Sequence, residues 1–85
     1  MITAKKSLGQ NFLIDQDVIN KIVNIIDIKD KKILEIGPGT GNLTSAILNK
    51  YPKKIIVVEK DDRLVQHLKN TFTNKIEVIN SDILQ

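Results

Sequence analysis

Cysteine and tryptophan are absent from this 85-residue chain, and its aromatic residues are one tyrosine and two phenylalanines. Without cysteine there is no disulfide framework and no thiolate metal site, so a reducing cytoplasm is the expected location. No uninterrupted apolar run approaches the roughly 20 residues that span a bilayer, and the N-terminus lacks the apolar region of a signal peptide, so neither membrane insertion nor export is expected. The one histidine, His67, has no companions at metal-ligand spacing and reads as a surface or boundary residue, so no metal is expected. Internal repeats and low-complexity segments are missing as well. Acidic residues are slightly outnumbered, ten against thirteen basic ones, and the resulting +3 permits a nucleic-acid partner without demonstrating one. The length allows one domain at most, burying about 60–65% of the surface the unfolded chain exposes, so the core must be small.

What the chain does have is Lys32-Ile33-Leu34-Glu35-Ile36-Gly37-Pro38-Gly39-Thr40-Gly41-Asn42-Leu43-Thr44, an apolar run broken by alternating glycines before helical spacing resumes. This reads as strand, turn and helix, with Asn42 as a possible helix cap. Glycine lets a ligand approach the main chain without meeting a Cβ, and the turn lies at the carboxyl end of a strand, where open α/β sheets place their crevice. A nucleotide-like ligand is the natural occupant. A dinucleotide fingerprint, G-x-G-x-x-G, would need glycine at 42, where this chain has Asn42. The pattern E-x-G-x-G-x-G, with Glu35 two residues before the first glycine, instead resembles motif I of class I S-adenosylmethionine-dependent methyltransferases. The plainer alternative is that the glycines make a tight turn and nothing more.

Residues 1–14 carry a basic pair, Lys5-Lys6, and read as an arm that folds back, with Phe12 as its apolar anchor. From Asp15, the positions of Val18, Ile19, Ile22, Val23 and Ile26 predict an amphipathic helix of about three turns, with Asp15 and Asp17 at the positive end of its dipole. Residues 28–31 read as a polar connection. A strand is expected over 32–36, apolar enough to be central in a parallel sheet. The next helix, from Asn42, should carry Leu43, Ala46, Ile47 and Tyr51 on one face and end at Pro52. A second strand is expected over 55–58, closed by Glu59. A helix opening near Asp61-Asp62 should bury Leu64, Val65, Leu68 and Phe72, and a third strand follows over 76–79, with Glu77 marking an edge. Right-handed crossovers give three parallel strands in the order 3-2-1, half of a doubly wound α/β sheet.

Three strand ends then converge on one crevice. Glu59, 22 positions after Gly37, can accept hydrogen bonds from both hydroxyls of a ribose, a spacing that methyltransferases share with NAD enzymes. Its plainer reading is a solvated charge at a strand end. Asp82 has the matching place after strand three and could reach an adenine amino group, or could be a cap or loop residue. Lys5 and Lys6 suit either RNA phosphate or a solvated tail, and Lys53-Lys54 with Lys29 to Lys32 read as ordinary loop charge.

Ser7-Leu8-Gly9-Gln10-Asn11-Phe12-Leu13-Ile14-Asp15 resembles the N-terminal motif of the ribosomal RNA adenine N6-dimethyltransferases, and Glu35-Ile36-Gly37-Pro38-Gly39-Thr40-Gly41 resembles that family's motif I. The likeness continues through Glu59-Lys60-Asp61 and Asn80-Ser81-Asp82-Ile83-Leu84, and so covers the whole chain. Gly9-Gln10-Asn11-Phe12 and Gly37-Pro38-Gly39 are closer to the housekeeping small-subunit enzymes than to the large-subunit resistance methylases. The resemblance implies a Rossmann-like class I fold, S-adenosyl-L-methionine as cofactor, and small-subunit ribosomal RNA as partner in ribosome biogenesis. It further implies that Asn11 and Leu13 fold over the methionine end, that Gly37 contacts the cofactor by main chain, and that Glu59 holds the ribose and Asp82 the adenine.

The family's catalytic Asn-Leu/Ile-Pro-Tyr motif occurs nowhere in the sequence, and there is no room for its C-terminal RNA-holding domain. No catalytic residue is therefore expected within residues 1–85, which correspond to the first third of such an enzyme: an arm, a helix and a βαβαβ unit, expected to be inactive alone. Methyl transfer from a sulfonium to an adenine N6 is an in-line displacement with an activated leaving group, so the missing motif would orient the amine and stack the extruded base. Two alternatives stand beside this reading. One is a non-catalytic remnant that binds cofactor or RNA, and the other is an NAD-dependent oxidoreductase half-domain. Nothing in the sequence fixes an oligomeric state.

Overall fold

The computed structural model describes residues 15–84; the arm, with Asn11 and Leu13, lies outside the described residues. The elements run α1 (Gln16–Ile25), β1 (Lys32–Ile36), α2 (Asn42–Leu48), β2 (Lys54–Glu59), α3 (Asp62–Phe72), a 3-10 turn (Thr73–Lys75) and β3 (Glu77–Asn80). The three strands form one parallel sheet in the order β1-β2-β3, the predicted 3-2-1.

Asp15 starts α1 by accepting hydrogen bonds from the backbone N–H of Asp17 at 2.9 Å and Val18 at 3.3 Å, which satisfies two donors that the first turn leaves free. Ile19 and Val23, four residues apart, are buried one turn above the other. The apolar spacing outruns the helix. α1 stops at Ile25, Ile26 turns extended and stays 57% exposed, and Ile28, predicted as part of a polar connection, is buried in the core instead.

β2 is the central strand, with Ile55 and Val57 at 1% and 0% exposure, and its first residue pairs across to the first residue of β1, Lys32 with Lys54. β1, apolar enough in sequence for a central strand, lies at an edge among the described residues, as the order 3-2-1 requires, and Leu34 is 54% exposed. β3 begins one residue later than predicted because Ile76 follows the 3-10 turn and is buried as a core residue before pairing starts at Glu77. Val23, Ile28, Ile47, Ile55, Val57, Leu68, Phe72 and Ile76 form one core that joins the helices to the sheet.

Two expectations about α2 change. Asn42 does not cap it, because Gly41, at φ 94°, occupies the cap position and Asn42 is already the first helical residue. Tyr51 is not on its apolar face either. The helix ends at Leu48, and Tyr51 takes φ 58° and is 75% exposed. Pro52 disfavours helical geometry in the residue before it, and the left-handed Tyr51 instead has its carbonyl accept from the backbone N–H of Asp30, 3.0 Å away.

Candidate functional site

The glycine turn between β1 and α2 extends the sheet by one bond before it leaves it: Gly37 N–H donates to the Val58 carbonyl at 2.9 Å, next to the end of β2. Gly37, Gly39 and Gly41 all have positive φ, but the space around them differs. A Cβ on Gly37 or Gly39 would meet nothing within 4 Å, whereas on Gly41 it would lie 2.6 Å from Phe72 Cε2 and 3.2 Å from Leu68 Cδ2. The first two leave an open approach to the main chain. The third lets α2 start tightly against α3.

Glu59, the last residue of β2, is 6% exposed and faces this turn. Its Oε1 accepts from Gly39 N–H at 3.3 Å and its Oε2 from Asp61 N–H at 3.0 Å. A carboxylate offers about four acceptor sites, so two stay open for further donors. Asp61 in turn caps α3 by accepting from Arg63 N–H at 2.9 Å, and that backbone bond holds its carboxyl below the ordinary aspartate value.

On the other side of β2, Ser81 N–H donates to the Glu59 carbonyl at 3.1 Å, so Asp82 follows directly on the neighbouring strand end. Asp82 is half-buried, and its Oδ1 accepts from Leu84 N–H at 3.0 Å, which makes a turn of its own chain. Asn80 Nδ2 donates to Asp62 Oδ1 at 2.6 Å and ties the end of β3 to the start of α3. Gly37, Glu59 and Asp82 thus stand at the carboxyl ends of three adjacent parallel strands. His67 is exposed as expected, with Nε2 3.2 Å from the Thr40 carbonyl of the glycine turn. Among the described residues no group of three or more His, Cys, Asp or Glu is placed to hold a metal ion, and no helix is long and apolar enough to cross a membrane.

One residue of the site escaped assignment from sequence. Glu35, part of the glycine motif, is 7% exposed inside β1, and its Oε1 accepts from the hydroxyl of the fully buried Thr44. Burial pushes the Glu35 carboxyl up to about 7, with the Thr44 hydrogen bond pulling weakly the other way. The contact braces β1 against the first turn of α2 from behind the glycines. Its signal in the sequence was a carboxylate at an inward position of an otherwise apolar strand, nine residues ahead of a threonine in the following helix.

Comparison with known proteins identifies the surroundings of this site. Residues 1–85 match a family model described as ribosomal RNA adenine dimethylase. The chain belongs to that family. One curated member, Ribosomal RNA small subunit methyltransferase A of Pelagibacter ubique, is 62% identical over 84 residues, covering 99% of this chain and 32% of that protein. A dimethyladenosine transferase from Plasmodium falciparum superposes with TM-score 0.75 at 33% identity, over 84% of this chain and 27% of that one. The 23S rRNA methyltransferase ErmE superposes with TM-score 0.74, also at 33% identity, over 88% of this chain and 32% of that one. The chain spans about a third of the length of the first curated relative. The span of the family model takes in the arm, the glycine turn and the three strand ends.

Proposed function

We propose that this chain is the cofactor-binding part of an S-adenosylmethionine-dependent ribosomal RNA adenine N6,N6-dimethyltransferase acting on the small subunit. The observation that carries the reading is the buried Glu59 carboxylate at the end of the central strand, held by two backbone N–H groups beneath an open glycine turn. The residues fit the cofactor. Two acceptor sites of Glu59 remain for the paired ribose hydroxyls, and Gly37 presents main chain to the methionine end without a Cβ in the way. Asp82, after the next strand, would accept from the adenine amino group while Leu84 N–H stays bonded to its Oδ1. Asn11 and Leu13 of the arm would close over the methionine end.

Bound there, S-adenosylmethionine supplies a methyl group on a sulfonium, which needs no further activation. What the chain's residues would contribute is position: Glu59 would hold the ribose hydroxyls and Gly37 the methionine end, and alignment of this kind supplies much of the catalytic effect in a displacement. Small-subunit specificity is supported by the 62% identity to a small-subunit enzyme; the two solved structures, both at 33%, do not separate the subunits.

Calorimetric titration with S-adenosylmethionine and, in parallel, NADH tests the proposal. The chain should bind the first and not the second. Glu59→Ala should weaken binding by about 1.5–3 kcal/mol, the size of hydrogen bonds to a charged group. Equal affinity in parent and variant would remove Glu59 from the site, and preference for NADH would overturn the methyltransferase reading.

A further inference from the structure

The end of the sheet opposite the crevice collects lysine. The strands run parallel, so their first residues lie together, and the loops that enter them bring Lys29, Lys31 and Lys32 before β1 beside Lys50, Lys53 and Lys54 before β2. Backbone bonds hold the two loops together: Lys53 N–H donates to the Lys31 carbonyl at 2.8 Å, and Asp30 N–H to the Tyr51 carbonyl. Lys75 enters β3 on the same side, next to a shallow depression of about 260 Å³ lined by Lys53, Lys54, Asn74 and Glu77. Seven of the chain's thirteen basic residues are gathered here, all exposed, against Asp27, Asp30 and Glu77. Of these acids Glu77 lies 3.5 Å from Lys54 across the solvent. The crevice end is mixed instead, with Glu59, Asp61, Asp62 and Asp82 beside Lys60 and Arg63. From spacing alone, the two lysine groups read as ordinary loop charge and Tyr51 as part of a helix face.

We propose that this lysine rim, with Tyr51 standing out of it, is an accessory docking surface for the phosphate backbone of single-stranded RNA, on the end of the sheet away from the cofactor crevice. Clustered lysines neutralise successive phosphates and release their counterions. An exposed aromatic ring among them supplies a face on which a base can stack, whatever its identity. Tyr51 is 75% exposed and is held there by its left-handed backbone and by the bond from Asp30, so the ring is presented rather than tucked into the core. The rim is the more basic end of the described residues, which turns it towards RNA phosphate. This inference rests on the RNA-modifying function proposed above and adds a contact remote from the acceptor adenine.

The test is fluorescence anisotropy with a labelled single-stranded RNA across a range of salt, beside the S-adenosylmethionine titration. Lys31 and Lys53 use their backbones to join the loops, so a Lys31→Gln, Lys53→Gln double variant keeps those bonds. It should weaken RNA binding roughly tenfold at low salt and flatten the salt dependence by about 1.4 in slope, the share of two phosphate contacts on a single strand. Tyr51→Ala should lower affinity about five- to a hundredfold with the slope unchanged. A control pair of equal charge away from the rim, Lys21→Gln with Arg63→Gln, should bind like the parent. Equal losses for rim and control pairs would mean diffuse attraction and overturn the rim. Cofactor binding without RNA binding would overturn it too while leaving the methyltransferase reading in place, and rim-dependent RNA binding without cofactor binding would do the opposite.

Discussion

Glu35 and Glu59 are both buried carboxylates on neighbouring strands, one inside β1 and the other at the end of β2, and their partners give them different work. Glu59 meets two backbone N–H groups at the mouth of the crevice, whereas Glu35 meets one hydroxyl behind the turn. With its folded-state value raised from 4.5 to about 7, Glu35 takes up its proton more readily in the folded chain than in the unfolded one. Its effect on stability is therefore most favourable below pH 4.5 and is lost as pH rises through 7. The loss should be about 3 kcal/mol, at about 1.4 kcal/mol per unit. Urea unfolding of parent and Glu35→Gln from pH 4.5 to 8 checks this: the difference between the two should grow with pH, and parallel curves would disprove it. Gly41→Ala should cost about 1–3 kcal/mol through overpacking against Phe72 in addition to backbone strain. Gly39→Ala, which meets open space, should cost only the strain of about 1–2 kcal/mol, and thermal melting of the pair separates the two effects. The glycines and Glu59 were legible in the sequence because their spacing is local. The Glu35–Thr44 brace was not, since a hydroxyl reaching back to a strand depends on how α2 seats, which spacing alone does not fix.

At the scale of elements, β1 is the exposed seam of the described residues. Its neighbour β2 covers one edge, and the other presents unpaired backbone alongside the half-exposed Leu34. Such edges recruit further strands, so sedimentation of the chain at increasing concentration should show growing average mass, and Leu34→Lys should suppress it. A parent that stays monomeric at every concentration would contradict this. Strand and helix identities followed from apolar spacing, which for α1 and α3 matches the buried residues Ile19, Val23, Val65, Leu68 and Phe72, whereas Leu64, expected with them, is only half-buried. Their ends did not follow. α2 loses its last turn to the left-handed Tyr51, and α1 stops before Ile26, because both ends are set by the loops they must enter, where Ile28 drops into the core and Asp30 bonds to Tyr51.

For the whole molecule, the proposed site predicts that cofactor binding can be separated from methyl transfer. Gly37, Glu59 and Asp82 lie within the chain, while the motif that orients the acceptor adenine in this family has no counterpart in the sequence. Residues 1–85 alone should bind S-adenosylmethionine yet transfer no labelled methyl to small ribosomal subunits lacking the modification. Forfeiting orientation removes much of the roughly 7–11 kcal/mol that positioning can supply. Dimethyladenosine formed by the chain alone would refute this.

The glycine turn also contains two amides with separate fates. Gly37 N–H is bonded to the Val58 carbonyl and continues the sheet ladder, while Gly39 N–H, two residues on, is bonded at 3.3 Å to a side chain that ligand hydroxyls would share. In deuterium exchange the first should be released only with the opening of the sheet, and the second whenever the turn lifts from Glu59. Neighbouring amides therefore carry two clocks, one timing the survival of the fold and the other the occupancy of the crevice.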